Sequence, residues 1–173
     1  MEKAIRLNLG CGTRVLENWI NVDLVPRGGR NFQSVKGKTP EVISDIRDLP
    51  FDDDYADEIM AIHVVEHFYI WDVPALLKEW IRVLKPGGKM IIEVPDLEKI
   101  ILYMSVGETH PSFTMWPLYG DPSEKDPLMV HKWAYTAKSL EKMMNHIGLN
   151  GINREPAQFH FKEERDLRMV GYK

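Results

Sequence analysis

Two glycines and an aspartate have the types and spacing to bind a small ligand. Gly10 and Gly12 end an apolar run that contains Leu7 and Leu9, and Asp23 ends the next apolar run. Glycines at a strand end permit a sharp turn and let a ligand lie against the backbone, so a side chain at Gly10 is expected to occupy ligand space. A carboxylate at the tip of the neighbouring strand accepts hydrogen bonds from both ribose hydroxyls of a nucleoside. The spacing therefore predicts a nucleoside-containing ligand, although tight turns also need glycine for purely structural reasons.

The same stretch argues against a dinucleotide. Pyrophosphate-binding loops carry a third glycine three residues after the second, with a helix N-terminus behind it. Val15 stands at that position here, and the gap from Gly12 to Asp23 is short for a full helix and a second strand. A cofactor without phosphates is favoured.

A second group of reactive side chains lies further along the chain. His63, Glu66, His67 and His131 are candidates for a general base, and each has the alternative of a structural, hydrogen-bonded role. Residues 63–67 also match the inverted zincin string His-x-x-Glu-His, which makes a zinc hydrolase an alternative. That chemistry needs both histidines on one helical face, whereas His63 closes a predicted strand. Cys11 is expected to be a packing residue and not a nucleophile.

The elements that must position these residues alternate between strands and helices. Apolar patterns predict strands at 4–9, 19–24, 42–46, 56–63 and 89–95, two more in the tail with the last near 167–172, and helices over 73–84, 96–104 and 137–147. Asp72 and Thr136 are the predicted caps of the first and third helices. This alternation indicates an α/β fold whose mostly parallel sheet has helices on both faces. Ligands of such sheets bind at the carboxyl ends of the strands, where the candidate residues converge.

Two segments interrupt the pattern. Residues 105–133 are irregular, rich in proline and aromatic residues, and are predicted to form a mobile lid over the site. Phe113, Trp116 and Tyr119 are expected to pack onto ligand or core, and His131 to reach the crevice from the far end of the lid. The basic, glycine-containing stretch at 26–38 is expected to be a solvated connection.

Composition limits the class of protein. The 173 residues predict a single domain over 1–173, and 22 basic against 26 acidic residues give a net charge of −4, which does not suit a nucleic-acid-coating surface. The first apolar run begins almost at once and no run approaches a membrane span, so neither a signal peptide nor a membrane partner is expected. A single cysteine suits a reducing cytoplasm.

Taken together, five motifs resemble the class I S-adenosylmethionine-dependent methyltransferases, and more narrowly the small group related to the type 11 methyltransferases. The motifs are Leu-Gly-Cys-Gly at 9–12, Asn-Val-Asp at 21–23, Asp-Ile-Arg-Asp-Leu-Pro-Phe at 45–51, Val-Glu-His at 65–67 and Arg-Val-Leu-Lys-Pro-Gly-Gly at 82–88. The resemblance runs from about residue 5 to 102 and resumes over 131–149. Residues 13–19 depart from it, being too short for the usual first helix.

The resemblance implies a Rossmann-like, mostly parallel seven-stranded sheet with one antiparallel strand, and S-adenosylmethionine as cofactor. It implies that Gly10 and Gly12 flank the methionine moiety, Asp23 holds the ribose, Asp45 and Ile46 meet the adenine, and His63 borders the methyl-transfer site. The full set expected around the cofactor is Asn8, Leu9, Gly10, Cys11, Gly12, Asp23, Leu24, Asp45, Ile46 and His63.

The reaction implied is in-line displacement of the methyl group onto a small-molecule or glycan acceptor, with no metal. A domain that binds the cofactor without catalysis is a further alternative. Oligomeric state and the identity of the acceptor are left open.

Overall fold

The fold is given by a computed structural model that describes residues 3–12, 14–24, 40–160 and 162–173. The basic stretch at 26–38 lies outside the described residues. The strands are β1 Arg6–Leu9, β2 Ile20–Asp23, β3 Val42–Ile43, β4 Ala56–Ile62, β5 Leu84–Pro95, β6 Asn150–Glu155 and β7 Asp166–Tyr172. The helices are α1 Val73–Val83, α2 Leu97–Ser105, α3 Trp116–Tyr119, α4 Ala137–His146 and α5 Lys162–Arg165.

The strands form one sheet in the order β3-β2-β1-β4-β5-β7-β6. Every neighbouring pair is parallel except those that involve β7, which runs antiparallel to both β5 and β6. This confirms the predicted Rossmann-like, mostly parallel seven-stranded sheet with one antiparallel strand. Since β1 lies between β2 and β4, the direction in which strands are added reverses beside it, and ligands of open sheets bind at such a point.

One face of the sheet carries the main hydrophobic core. Leu7 and Leu9 of β1 are fully buried there, and α1 and α4 contribute buried side chains to the same cluster. Trp80 of α1 is fully buried, and its indole Nε1 donates a hydrogen bond to the backbone oxygen of Ile46 at 2.9 Å. The helix that follows β4 is thereby joined to the segment after β3.

The opposite face has a smaller apolar cluster whose cover comes from loop side chains. Leu16, Trp19 and Phe159 pack against buried residues of β4, β5 and β7. Residues 14–19 form no helix, as the short spacing predicts. Asn8 and Asn21 hold this segment instead: the Asn8 side chain donates to Asn21 Oδ1 at 2.8 Å, and that oxygen accepts from Leu16 N at 2.8 Å.

Gly10 begins the turn that follows β1. Packing within the protein gives a reason for a glycine at this position that the sequence did not predict. Gly10 has a φ of +64°, and its N–H donates to Val22 O at 2.9 Å. A Cβ atom at Gly10 would lie 2.7 Å from Val64 Cγ2. The position that a Cβ atom at Gly10 would take is therefore already occupied by Val64, and contact of Gly10 with the cofactor stays a prediction. Gly12, with a φ of +51°, would place a Cβ in open space.

The structure confirms one predicted helix cap and corrects two other predictions, a second cap and the start of a strand. The Thr136 side chain accepts from Ser139 N and Ser139 reciprocates, so the predicted cap of α4 is a complete capping box. Asp72 precedes α1, but its side chain makes no capping hydrogen bond. The strand expected over 89–95 begins earlier, at Leu84, because its first residues already pair with β4 across a bulge.

Residues 105–133 are irregular, as predicted, and contain α3 and 3₁₀ turns at Pro122–Glu124 and Pro127–Met129. Phe113 packs edge-on against Tyr103, with ring centroids 5.3 Å apart. Tyr119 is 62% exposed and so does not pack onto the core, and its packing onto a ligand stays a prediction. Whether the segment moves stays a prediction. Among the described residues, no helix has the length and apolarity to cross a membrane.

Trp80→Ala is expected to lower the free energy of unfolding by about 3–5 kcal/mol, because it empties a large buried volume and leaves Ile46 O without its donor. Chemical denaturation measures the loss. Trp71→Ala is the matched control: Trp71 is 70% exposed, and its loss should cost less than about 1 kcal/mol. Equal losses in the two variants would contradict the assignment of Trp80 to the core.

Gly10→Ala is expected to destabilise the fold more than Gly12→Ala. Both variants strain a backbone of positive φ, at roughly 1–2 kcal/mol, but only the first drives a methyl group into Val64. Val64→Ala removes that clash, so a double-mutant cycle between positions 10 and 64 should show favourable coupling. Strictly additive effects on unfolding would show that Val64 is not the obstacle.

Candidate functional site

Asp23 lies at the carboxyl end of β2, beside the glycine turn. Its Oδ2 accepts a hydrogen bond from Gly12 N at 2.5 Å. Burial raises the pKa of Asp23, while hydrogen bonds from the backbone N–H groups of Gly12 and Leu24 act in the opposite direction. A carboxylate offers about four lone-pair positions, so acceptor capacity remains for a pair of hydroxyls. The chemistry of this position fits a ribose.

The other residues expected around the cofactor contribute in different ways. Leu9 is fully buried in the core, so only its backbone faces the turn, and Leu24 is 45% exposed. The Asn8 side chain donates to Arg14 O at 2.9 Å as well as to Asn21, and therefore shapes the loop after the glycines. Burial, with the nearby charges of Asp23 and Glu41, raises the pKa of the Cys11 thiol to about 12. A thiol in that state is a packing group and no nucleophile.

Asp45 and Ile46 follow β3, next to the end of β2. Ser44 N donates to Asp23 O at 3.0 Å, which brings this segment beside the ribose position. The Asp45 carboxylate is held by Arg47, whose Nη2 lies 2.5 Å from Oδ2, and this hydrogen bond lowers the pKa of Asp45. The Ile46 side chain is buried in the main core. Their contact with adenine stays a prediction.

His63 stands directly after β4 with a φ of +53°. Its Nε2 lies 3.1 Å from Asp166 Oδ2, and its Nδ1 lies 3.0 Å from Glu66 Oε1. Both ring nitrogens thus face carboxylates. Burial alone would lower the pKa of His63, but the carboxylates of Asp166 and Glu66 at its two ring nitrogens raise it to about 9. His63 is a buried cation between two acids.

Glu66 is the most unusual group of the site. Its side chain is 1% exposed, and neither carboxylate oxygen accepts a well-aligned hydrogen bond in the described structure. The contact with His63 Nδ1 is therefore an ion pair at 3.0 Å rather than a directed hydrogen bond. Burial favours the neutral acid, but the adjacent His63 outweighs it and lowers the pKa of Glu66. A buried carboxylate with unused acceptor capacity is costly unless something else binds it.

His67 and His131 lie next to Glu66. Their ring centroids are 4.8 Å apart in an edge-on arrangement, and one ligand atom of each of the three side chains lies within 4.8 Å of the other two. Burial lowers the pKa of His67. His131 comes from the far end of the lid segment, as expected, and Lys132 N donates to Glu66 O at 2.7 Å. The backbone therefore ties the end of the lid to this cluster.

Four contributing residues were missed from the sequence. Asp166 pairs with His63 across 103 positions of chain, and the His160 ring lies edge-on to His63 with centroids 4.4 Å apart. Among the described residues, the buried Tyr135 hydroxyl has no hydrogen-bond partner, and burial together with the Glu66 charge raises its pKa. The Arg14 guanidinium lies 5.0 Å over the Phe159 ring, beside the loop after the glycines. Only the position of Asp166 at the start of the last strand was a usable signal.

The inverted zincin string does not form a zincin helix. β4 ends at Ile62, and Val65–His67 is a single 3₁₀ turn. Among the described residues, His63 and His67 fall into separate clusters of possible metal ligands, because His63 groups with Glu93 and Asp166. The geometry that a zincin requires, two histidines one helical turn apart, is absent from this segment.

Comparison with known proteins agrees with this arrangement. The sequence model of a family described as "Methyltransferase domain" matches residues 7–92. A ubiquinone/menaquinone biosynthesis C-methyltransferase of Paraburkholderia phytofirmans is 28% identical over 162 residues, which cover 88% of this chain and 63% of that protein. The chain thus spans less than two thirds of the length of this relative.

Solved structures share the fold. A S-adenosylmethionine-dependent methyltransferase of Archaeoglobus fulgidus superposes with a TM-score of 0.66 at 18% identity, covering 98% of this chain and 86% of the other. A second, from Thermotoga maritima and described as a possible histamine N-methyltransferase, gives 0.65 at 17% identity, covering 100% and 84%. The family match over residues 7–92, the strand order and the motifs agree, and in all three respects the chain is similar to the class I S-adenosylmethionine-dependent methyltransferases of the type 11 group.

Proposed function

We propose that this domain transfers a methyl group from S-adenosylmethionine to a small-molecule acceptor bound at the carboxyl edge of the sheet. The observation that carries the proposal is the convergence of two unlike sites. The glycine turn with Asp23 suits a nucleoside, and Val64 joins it to the charged cluster after β4 by packing on Gly10. This arrangement supports a cofactor position and a polar acceptor position on adjacent strand ends.

When bound, S-adenosylmethionine supplies a methyl group on a positively charged sulfur, and attack by the acceptor breaks the carbon–sulfur bond and returns the electron pair to sulfur. In this assignment Asp23 accepts from the ribose hydroxyls, and the open side of Gly12 lets the ligand approach the backbone. The residues act mainly by holding the reactants in line, which is a proximity contribution.

A base is needed only where the acceptor is a hydroxyl or a protonated amine. Of the four candidates, His63 is the least suited, since both of its nitrogens already face carboxylates. His67 and His131 each direct Nδ1 at a backbone oxygen, which leaves Nε2 able to accept a proton. Glu66 lies beside both and would stabilise the imidazolium that forms.

The acceptor is proposed as a small molecule. The curated relatives are named as C-methyltransferases of quinone biosynthesis, so carbon methylation of a ring compound is the first class to test. An acidic ring carbon needs a base of the kind that the histidines provide. A glycan acceptor remains a prediction with no structural observation in its favour.

Asp23→Ala is expected to weaken S-adenosylmethionine binding by about 5- to 150-fold, the cost of roughly 1–3 kcal/mol for unpaired hydroxyls. Isothermal titration measures it. Asp23→Asn keeps an acceptor for Gly12 N and separates loss of ribose contacts from disturbance of the turn. Asp52→Ala, an exposed aspartate in the turn before β4, serves as the control and should bind normally. Unchanged affinity in Asp23→Ala would refute the ribose assignment.

Residues 105–133 are proposed to be a lid that orders over cofactor and acceptor. Hydrogen exchange in this segment is expected to slow when S-adenosylhomocysteine and an acceptor bind, because closure excludes water from the site. Exchange in α1, which is packed in the core, is the internal reference. Exchange over 105–133 that is slow from the start and indifferent to ligands would identify a rigid structural insertion.

A further inference from the structure

We propose that Glu66, His67 and His131 form a zinc-binding site at the junction of the lid segment and the end of β4. One ligand atom of each side chain lies within 4.8 Å of the others. Zinc bonds of about 2.0–2.1 Å give a coordination tetrahedron with edges of about 3.3 Å, so each pair of ligand atoms would have to approach by at most about 1.5 Å. Two histidines and a glutamate are the ligand set of catalytic zinc sites that keep a fourth position open.

The histidine tautomers favour metal ligation. His67 Nδ1 lies 3.3 Å from Val130 O, and His131 Nδ1 lies 2.9 Å from Pro117 O. A carbonyl oxygen only accepts, so each Nδ1 carries the proton and each Nε2 keeps a lone pair. Metal-ligating histidines are held in this way, with the distal nitrogen donating to a backbone carbonyl or carboxylate.

Glu66 supplies the independent observation that points to a ligand. It is 1% exposed, and both carboxylate oxygens lack a well-aligned donor. Within the described part of the chain, its one ion-pair partner is His63, which faces Oε1. The second oxygen is buried and accepts no hydrogen bond from the described residues, and a cation there would offset the cost of that burial.

The neighbouring cluster of His63, Glu93 and Asp166 differs from the Glu66 cluster because its carboxylates accept hydrogen bonds, including bonds from arginines. Glu93 accepts from Phe159 N at 2.9 Å and from Arg168 Nη1 at 3.1 Å. Asp166 accepts from Arg165 Nε at 2.9 Å. These acids are already neutralised by arginines, so the group has no reason to recruit a metal. Of these two clusters of described residues, the one around Glu66 combines histidine lone pairs with a carboxylate oxygen that accepts no hydrogen bond.

A zinc ion at this position would join two parts of the chain. Glu66 and His67 belong to the turn after β4, whereas His131 ends the lid segment and is joined to it by a hydrogen bond from His131 N to Tyr119 O at 3.2 Å. The metal would use the same Nε2 lone pairs that the proposed function offers for proton transfer. A loaded site could not use these nitrogens as bases, so zinc binding goes beyond the proposed function and is tested apart from it.

The test is metal binding by the full chain, purified without a polyhistidine tag and stripped of metal. Titration with Zn²⁺ is expected to show one tight site per chain, and Co²⁺ to give a visible absorption spectrum that Zn²⁺ abolishes. A large excess of Mg²⁺ should not compete, since imidazole ligands favour transition metals. Neither readout depends on methyl transfer, and a separate titration with S-adenosylmethionine reports the cofactor site.

Loss of a residue that only hydrogen-bonds to a metal ligand weakens metal binding by about 10- to 100-fold. His67→Ala and His131→Ala each remove a ligand itself, so we expect a larger loss of zinc affinity. Glu66→Gln keeps the size of the side chain but removes its charge, so this variant should also bind zinc more weakly. His146→Ala, an exposed histidine in the last turn of α4, is the matched control and should bind zinc normally. Absence of a tight site in the wild type, or undiminished binding in the histidine variants, would overturn the proposal. If those variants do not fold, the Co²⁺ spectrum of the wild-type protein tests the proposal. A spectrum that shows no nitrogen ligands on the metal would also overturn the proposal.

Discussion

The contact between Gly10 and Val64 is the constraint on which the site depends. Gly10 carries a positive φ, donates to Val22 O and leaves no room for a Cβ against Val64. Three neighbouring strand ends, those of β2, β1 and β4, are therefore brought together at one residue. A side chain at this position would separate the glycine turn from the segment that carries the histidines. The requirement for glycine is imposed by packing within the protein as much as by any ligand.

A pair of buried asparagines compensates for the helix that this chain lacks after β1. Asn8 and Asn21 satisfy each other and the backbone of residues 14–19, so the loop is held without helical hydrogen bonds. Buried amides are stable only when their hydrogen bonds are made, and here almost every donor and acceptor has a partner. The short connection thus keeps the glycine turn in place although the sheet face above it is covered only by loop side chains.

The cluster that follows β4 is an array of largely buried charges. His63 lies between Glu66 and Asp166, and Asp166 is shared with Arg165. Removing one member of such a network leaves an unpaired charge in a low-dielectric interior, so the members depend on one another. Glu66 is the member with spare capacity, and both proposals for this region, proton transfer and zinc binding, follow from that imbalance.

By itself, the sequence determined the class of fold and predicted the residues on the cofactor side of the site. Periodicity placed the strands and the main helices, and the spacing of Gly10, Gly12 and Asp23 indicated a nucleoside, because these are local signals written in consecutive residues. It also marked His63, Glu66, His67 and His131 as a group. It did not show that Asp72 fails to cap α1 or that β5 starts at Leu84, because side-chain geometry and pairing with β4 decide those boundaries.

Only the tertiary structure decided how the charged groups are paired. Asp166 reaches His63 from 103 positions away, and Glu66 is buried beside a histidine from the end of the lid. Such contacts depend on the order of strands in the sheet, and no periodic pattern records which distant side chains the folded backbone will bring within hydrogen-bond distance. The nature of His63 as a cation, and of Glu66 as a carboxylate in need of a partner, follows from burial and proximity, which exist only once the chain is folded.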